Sequence, residues 1–277
     1  MKRIAFCLGG ETRTFNDISH KELNFLIEQL DENGFESDVY GHTWEHASIP
    51  DTSLVKNFKK LIIEDQISID NWIMREFPVR VFSDRKYNRP FEDPEEMVRF
   101  YLDMSRDRYG QFVSGVQSLQ MPDNSYDIII RVRWDCKFNY KNVDHDISNI
   151  VYEFNKIVNI NDDDNLPYCL ATADSRLGGR GNSGIRRSPV LALGDMFIVF
   201  NNLGRTEFVS DGPYDLIDEV NSLVPKTHHT PFGHQQWSEA LCLKHLHIET
   251  TLPNIFQTHR MEGDYRGPTP GYKHIRF

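Results

Sequence analysis

The chain has 277 residues, 39% of them hydrophobic and 26% charged, an ordinary profile for a globular protein long enough to bury a substantial core. Its formal net charge of −10 gives no basis for a broad nucleic-acid surface, though it leaves room for a local basic cleft. No apolar run approaches the roughly 20 residues that span a bilayer, and Cys7, Cys136, Cys169 and Cys242 form no Cys-x-x-Cys pair, which argues against a zinc site or a disulfide framework and for reduced thiols in the cytoplasm.

Residues 3–8 read as a first buried strand, followed by a loop over Gly9–Phe15. The N-terminus is too short an apolar run for a signal peptide, and Gly9-Gly10-Glu11 ends it without a cleavage pattern. Residues 19–33 have helical spacing, with Leu23, Leu26, Ile27 and Leu30 on one face and Asn33-Gly34 as the stop. A second strand runs from Asp38 to Trp44, which completes a strand–helix–strand unit and predicts a parallel sheet. Residues 53–75 carry a mixed helical pattern, Pro78–Phe82 is a short strand and Tyr87–Pro94 a loop. A long or bent helix over 94–120 ends at Pro122-Asp123-Asn124. A strand begins at Tyr126, and Asn161–Asn165 is an acidic turn. Strands at Tyr168–Ala171 and Phe197–Phe200, helices at Tyr214–Leu223 and 234–247, and an irregular tail over 263–277 complete the reading. There is no internal repeat and no convincing linker. The expectation is a single α/β domain over 1–277, a central, mostly parallel sheet flanked by helices.

The most informative segment is Tyr126–Asp135, which starts apolar and ends charged. Strand alternation sets Ile128, Ile130, Val132 and Trp134 on one face and Arg131, Arg133 and Asp135 on the other. Two guanidiniums beside a carboxylate suit a phosphorylated ligand, with or without a divalent cation; a structural Arg–Asp pair at a strand end is the plain alternative. The loop after the first strand offers Gly9 and Gly10 for close backbone approach and Arg13 for phosphate, at the sheet edge where such folds bind ligands. It matches neither Gly-x-Gly-x-x-Gly nor a Walker loop. Gly178–Gly184 with Arg176, Arg180, Arg186 and Arg187 reads as a lid over a diphosphate or as a surface loop. His228, His229 and His234 lack zinc spacing, while His259 is a candidate for a metal or phosphate position near the C-terminus.

Taken together, these segments resemble a known family. Gly10-Glu11-Thr12-Arg13-Thr14-Phe15 resembles the Gly-x-x-Arg-x-Phe opening of certain bacterial and viral sugar transferases. Asp38-Val39-Tyr40-Gly41-His42-Thr43-Trp44 is similar to the segment that follows it, and Arg131-x-Arg133-x-Asp135 to the end of their central strand. Gly194–Val199 and the Glu239 helix resemble later elements. The ordered set resembles GT-A type glycosyltransferases that build surface polysaccharide or lipopolysaccharide.

The resemblance implies a nucleotide-sugar donor bound at the carboxyl edge of the sheet by Gly9, Gly10, Arg13, Thr43, Trp44, Arg131, Arg133 and Asp135. It implies a glycan or other hydroxyl acceptor; Asp195, Asp211 and Glu239, which follow the central strand, are the candidates for the catalytic base, and the resemblance favours Glu239. Arg133-Trp134-Asp135 departs from the family's Asp-x-Asp metal motif. Asp135 is thus the first ligand candidate for Mg²⁺ or Mn²⁺, and direct neutralisation of the diphosphate by arginine stands beside metal binding. Two other functions stay open: a noncatalytic nucleotide- or carbohydrate-binding protein, and a nucleotidyltransferase or phosphate-ester hydrolase. A lipid-linked acceptor would place the protein next to a membrane without a transmembrane segment.

Overall fold

The structure is a computed structural model that describes residues 1–45, 47–66, 110–163, 166–173, 193–210, 246–249, 252 and 256–258. It is an α/β protein, as expected, with a central, mostly parallel sheet flanked by helices. The strands are β1 (Lys2–Gly9), β2 (Phe35–Trp44), β3 (Phe58–Glu64), β4 (Ile128–Arg133), β5 (Cys136–Phe138), β6 (Tyr168–Ala173), β7 (Leu193–Phe200), β8 (His247–Glu249) and β9 (Phe256–Thr258). Seven of them form one sheet in the order β3-β2-β1-β4-β7-β6-β8. Only β7 runs against its neighbours in that sheet. β5 and β9 form a separate antiparallel pair.

Alternation along β1 and β4 divides the core. Ile4, Phe6 and Leu8 share a buried face with Ile128, Ile130, Val132 and Trp134. Against this face pack α1 (His20–Glu32), through Leu23, Leu26, Ile27 and Leu30, and α3 (Val143–Asp163), through Ile147, Ile150, Phe154 and Ile157. The opposite face carries helix α2 (110–119), with Phe112, Val113, Val116 and Leu119 buried, and α4 (Asn202–Ser210). Arg205 of α4 joins these two helices by donating to the carbonyls of Leu119 (3.4 Å) and Pro122 (3.2 Å). Among the described residues no helix is long and apolar enough to cross a membrane.

Several expectations change. The 53–75 segment carries no α-helix where it is described: a single 3-10 turn over Thr52–Leu54 leads to Phe58–Glu64, which is strand β3, paired in parallel with β2. Among the described residues only β2 pairs with it, and the register slips beside Val39, so its burial does not alternate cleanly. The acidic turn at Asn161–Asn165 is, as far as Asp163, the last turn of α3. His247, placed at the end of a 234–247 helix, begins β8 instead. The segments expected at Pro78–Phe82, Tyr87–Pro94, Gly178–Gly184, Tyr214–Leu223 and 263–277 lie outside the described residues, as do 94–109 of the long helix and 234–245.

Candidate active site

The carboxyl ends of β1, β2 and β4 meet at one rim, where the parallel register sets Gly9 beside Arg133 and Leu8 beside Gly41. Arg133 ends β4, and Trp134 and Asp135 turn the chain towards β5. The Asp135 carboxylate has no exposed surface. Arg133 grips it with both arms of its guanidinium, Nε to Oδ1 and Nη2 to Oδ2, each at 2.8 Å. Arg13 arrives from the loop after β1 and donates Nη1 to Oδ2 at 3.3 Å. A buried carboxylate needs such partners, since desolvation otherwise drives it to the neutral acid. Asp135 therefore gathers two cations, 120 positions apart in the chain, at one place.

Arg13 is the more open of the pair, with 34% of its side chain exposed, and its Nε also binds Glu11 at 2.8 Å. Its backbone φ is +30°, in the left-handed region that side chains avoid. The loop is tied to the one after β2: the Thr12 hydroxyl donates to the Ser48 carbonyl, and Asn16 bonds the Ile49 carbonyl (3.0 Å) and the Asp51 N–H (2.7 Å). Phe15 then packs edge-on against Trp134, ring centroids 4.7 Å apart. Trp134 in turn gives its indole N–H to the His42 carbonyl at 2.8 Å and covers Gly41, where a Cβ would collide with the ring. The tryptophan between Arg133 and Asp135 is thus the packing anchor that locks the arginine-bearing turn to β2 and to the first loop.

Gly10 has φ +99°, a conformation that suits glycine. Its N–H donates to Ser114 Oγ at 2.7 Å, and its carbonyl accepts from the Thr43 hydroxyl at 3.0 Å. Ser114 sits on α2, which reaches the turn because Gly9 and Gly115 touch backbone to backbone: a Cβ on Gly9 would fall 2.5 Å from Gly115 Cα. His42 is fully buried, its Nδ1 2.8 Å from Ser114 Oγ and its Nε2 3.2 Å from Glu64. Burial pushes its pKa below the ordinary value, and the Glu64 carboxylate opposes this only in part.

The structure thus brings Gly9, Gly10, Arg13, Thr43, Arg133 and Asp135 together. It does not bring Arg131 to the rim: that side chain is 3% exposed beneath α2, against Gly115 and over the Phe112 ring. Trp44 is likewise 3% exposed, gives its indole N–H to the Gly110 carbonyl (3.2 Å) and packs edge-on against His42, so its ring is not open to a base. Asp195 lies on β7 two residues before Phe197, which pairs with Val132, so its backbone stands at the same rim. Asp211, Glu239 and His259 lie outside the described residues. Ser114 and Glu11 are the site residues the sequence reading missed; Ser114 stands in no motif and Glu11 fills an unspecified position of Gly-x-x-Arg-x-Phe, so only tertiary contact singles them out.

Among the described residues the donor set does not fit a divalent cation. Asp135 is a single carboxylate with both oxygens turned to guanidiniums, and among the described residues no group of three His, Cys, Asp or Glu could hold a metal. What the arrangement offers instead is a pair of prearranged guanidiniums, one sheltered and one more open, paired with Asp135 and, for Arg13, also with Glu11; guanidiniums are a group type that suits phosphate oxygens.

No family model matches the chain, and no curated protein does. Among solved structures it is similar to mouse xyloside xylosyltransferase 1 in its apo form, at 12% identity and TM-score 0.39, over 90% of this chain and 84% of that one. It is also similar to an active-site mutant of LgtC, at 6% identity and TM-score 0.40, over 87% of this chain and 70% of that one. The galactosyltransferase LgtC in complex with donor and acceptor sugar analogues gives 7% identity and TM-score 0.37 over the same shares. Likenesses of this degree carry no argument for this chain, whose functional reading rests on the geometry of its own rim.

Proposed function

We propose that the chain is a glycosyltransferase that takes a sugar from a nucleotide-sugar donor to a hydroxyl acceptor. The observation that carries this reading is the convergence of Arg13, from the loop after β1, and Arg133, from the end of β4, on the buried carboxylate of Asp135. A parallel sheet of this kind binds ligands outside the carboxyl ends of its strands, and that is where the two guanidiniums stand. In the reaction the acceptor oxygen bonds to the anomeric carbon while the bond from that carbon to the diphosphate oxygen breaks. The electron pair leaves with the diphosphate, where negative charge builds up. Fixed cations aimed at that charge lower the barrier.

The residues divide by role. Arg13 and Arg133 bind the diphosphate, Asp135 orients both, and Gly9 and Gly10 let the backbone approach. Thr43 fixes Gly10, while Arg131 and Trp44 support the rim from inside. Asp195 or Glu239 takes the proton of the acceptor hydroxyl. The arginines do the neutralising that the family's metal motif would otherwise supply, and the acceptor is a glycan or another hydroxyl compound.

Calorimetric titration with UDP-, GDP-, CMP- and dTDP-sugars, each with and without Mn²⁺, tests the proposal. One donor is expected to bind in chelator, and Arg13→Ala is expected to weaken it by about tenfold or more, a typical loss for one charge-assisted contact. Binding of none of the four in either condition would overturn the reading. Binding that vanishes in chelator would overturn its arginine-only form.

A further inference from the structure

Resting on that reading, we propose that Ser114 and His42 are positioning residues for the donor diphosphate: they hold Gly10, and through it the arc of chain that carries Arg13 to Asp135. Neither is exposed, so neither acts by touching the ligand. Their effect passes through hydrogen bonds whose direction the surroundings determine. A hydroxyl has one proton to give and two lone pairs to receive with. Ser114 Oγ receives the Gly10 N–H at 2.7 Å, and it lies 2.8 Å from His42 Nδ1 and 2.9 Å from the His42 carbonyl. That carbonyl already takes the Trp134 indole N–H at 2.8 Å. Glu64 at 3.2 Å favours the imidazole proton on Nε2, which leaves Nδ1 as an acceptor. The Ser114 proton therefore stays with His42, donated to its carbonyl at 2.9 Å or to Nδ1 at 2.8 Å, and a lone pair of the hydroxyl faces Gly10.

The seat is built into the packing. Gly10 is held at both backbone polar atoms, by Ser114 at its N–H and by Thr43 at its carbonyl. Helix α2 comes close enough to do this only because Gly9 and Gly115 lack a Cβ. Three residues after Gly10, Arg13 adopts its left-handed backbone and meets Asp135. Without the Ser114 hydroxyl, the Gly10 N–H is buried with no acceptor, and the loop relaxes to pair it elsewhere. Arg13 then no longer arrives at Asp135 in the same attitude. The chain of contacts starts at Glu64, nearly half exposed on the edge strand, so the loop after β1 is set from the far side of β2.

The test measures the Gly10 amide and the diphosphate separately. Amide exchange is followed in the unliganded native protein and in Ser114→Ala, and UDP, GDP, CMP and dTDP are titrated into both. Exchange at Gly10 about tenfold faster, with the Ile4–Leu8 amides unchanged, and a diphosphate Kd raised about tenfold, are the expected results. His42→Asn, which keeps a polar atom on the Ser114 side, is expected to bind near the native level. His42→Gln, which keeps one on the Glu64 side, is expected to lose affinity like Ser114→Ala. If Ser114→Ala does not fold, this pair decides on the same readouts. Native-like binding or unchanged Gly10 exchange in folded Ser114→Ala overturns the proposal, as does the reverse order of the two His42 variants. A native protein that binds none of the four nucleotides overturns the donor reading beneath it, a failure distinct from native binding that the variants leave untouched.

Discussion

Arg13 holds its place at a conformational cost. A residue with a Cβ at φ +30° is strained by roughly 1–3 kcal/mol, and such strain persists only where surrounding contacts compel it. Here the compulsion is visible: Thr12 and Asn16 tie the loop to the segment after β2, while the guanidinium is pulled to Glu11 and Asp135. Arg13→Gly and Arg13→Ala remove the same charge, but only glycine relieves the backbone. Arg13→Gly is therefore expected to be more stable than Arg13→Ala by about 1 kcal/mol in urea unfolding, with both equally poor at binding diphosphate. Equal stabilities would show that this backbone stores no strain. His42 offers a second reading at this scale. Burial lowers its pKa from an ordinary value of 6.5, so the folded protein keeps it neutral where the unfolded chain takes up a proton. Its contribution to stability is whole above that ordinary value and is lost as pH falls from there towards the lowered one. Between about pH 7.5 and pH 5.5 the native protein is expected to lose more unfolding free energy than His42→Gln. Parallel losses would show that His42 titrates alike in both states.

At the scale of elements, the junction of α2 with the rim is tight. A Cβ on Gly115 would collide with the Arg131 guanidinium, itself enclosed beneath the helix. Gly34, after α1, has open space around it but a φ of +87°. Gly34→Ala then costs about 1 kcal/mol through its backbone alone. Gly115→Ala is overpacking, worth typically 1–3 kcal/mol, and it also displaces Ser114. Only Gly115→Ala is expected to weaken diphosphate binding; a loss of affinity in Gly34→Ala would point to general loosening instead. The same junction shows where sequence reading ends. Alternation along Tyr126–Asp135 was enough to place Arg133 and Asp135 side by side and Val132 and Trp134 in the core, because a strand's two faces are set by local geometry. It could not show that Arg131 is roofed by α2, since that depends on a glycine sixteen positions earlier reaching it in space. Helix α3 escapes the sequence reading although Ile147, Ile150, Phe154 and Ile157 keep helical spacing, Asn142 accepts the first-turn His145 N–H and Asp146 reaches back to the N–H groups of Lys141 and Asn142, because interspersed charges and asparagines mask the stripe. Strand β3 was misread for the opposite reason: an edge strand with Lys59 and Lys60 turned to solvent loses the period of two.

For the molecule as a whole, charge and architecture set opposite conditions for an anionic ligand. A net −10 repels diphosphate at long range, so attraction has to be local, and among the described residues Arg13 and Arg133 are the guanidiniums that meet at Asp135. Long-range repulsion is screened by salt, whereas the sheltered Arg133 contact is screened much less. Affinity for diphosphate is thus expected to fall only weakly between low and physiological salt, unlike binding to an extended basic face. The site also draws on distant parts of the chain, the loop after β1 and the turn after β4, so a ligand bridging them stabilises the fold by mass action. At about 100 times its Kd a diphosphate adds roughly 2.7 kcal/mol. In a domain of this size that raises Tm by about 5–10 °C. The same diphosphate at that concentration is expected to add only about 1.4 kcal/mol to a tenfold-weakened Arg13→Ala, roughly half the native shift in Tm, because the variant loses the open half of the pair while Arg133 still satisfies Asp135 and keeps the fold. Equal shifts in the native protein and in the variant would mean that the ligand sits elsewhere, and the rim would then be a structural ion pair closing the sheet.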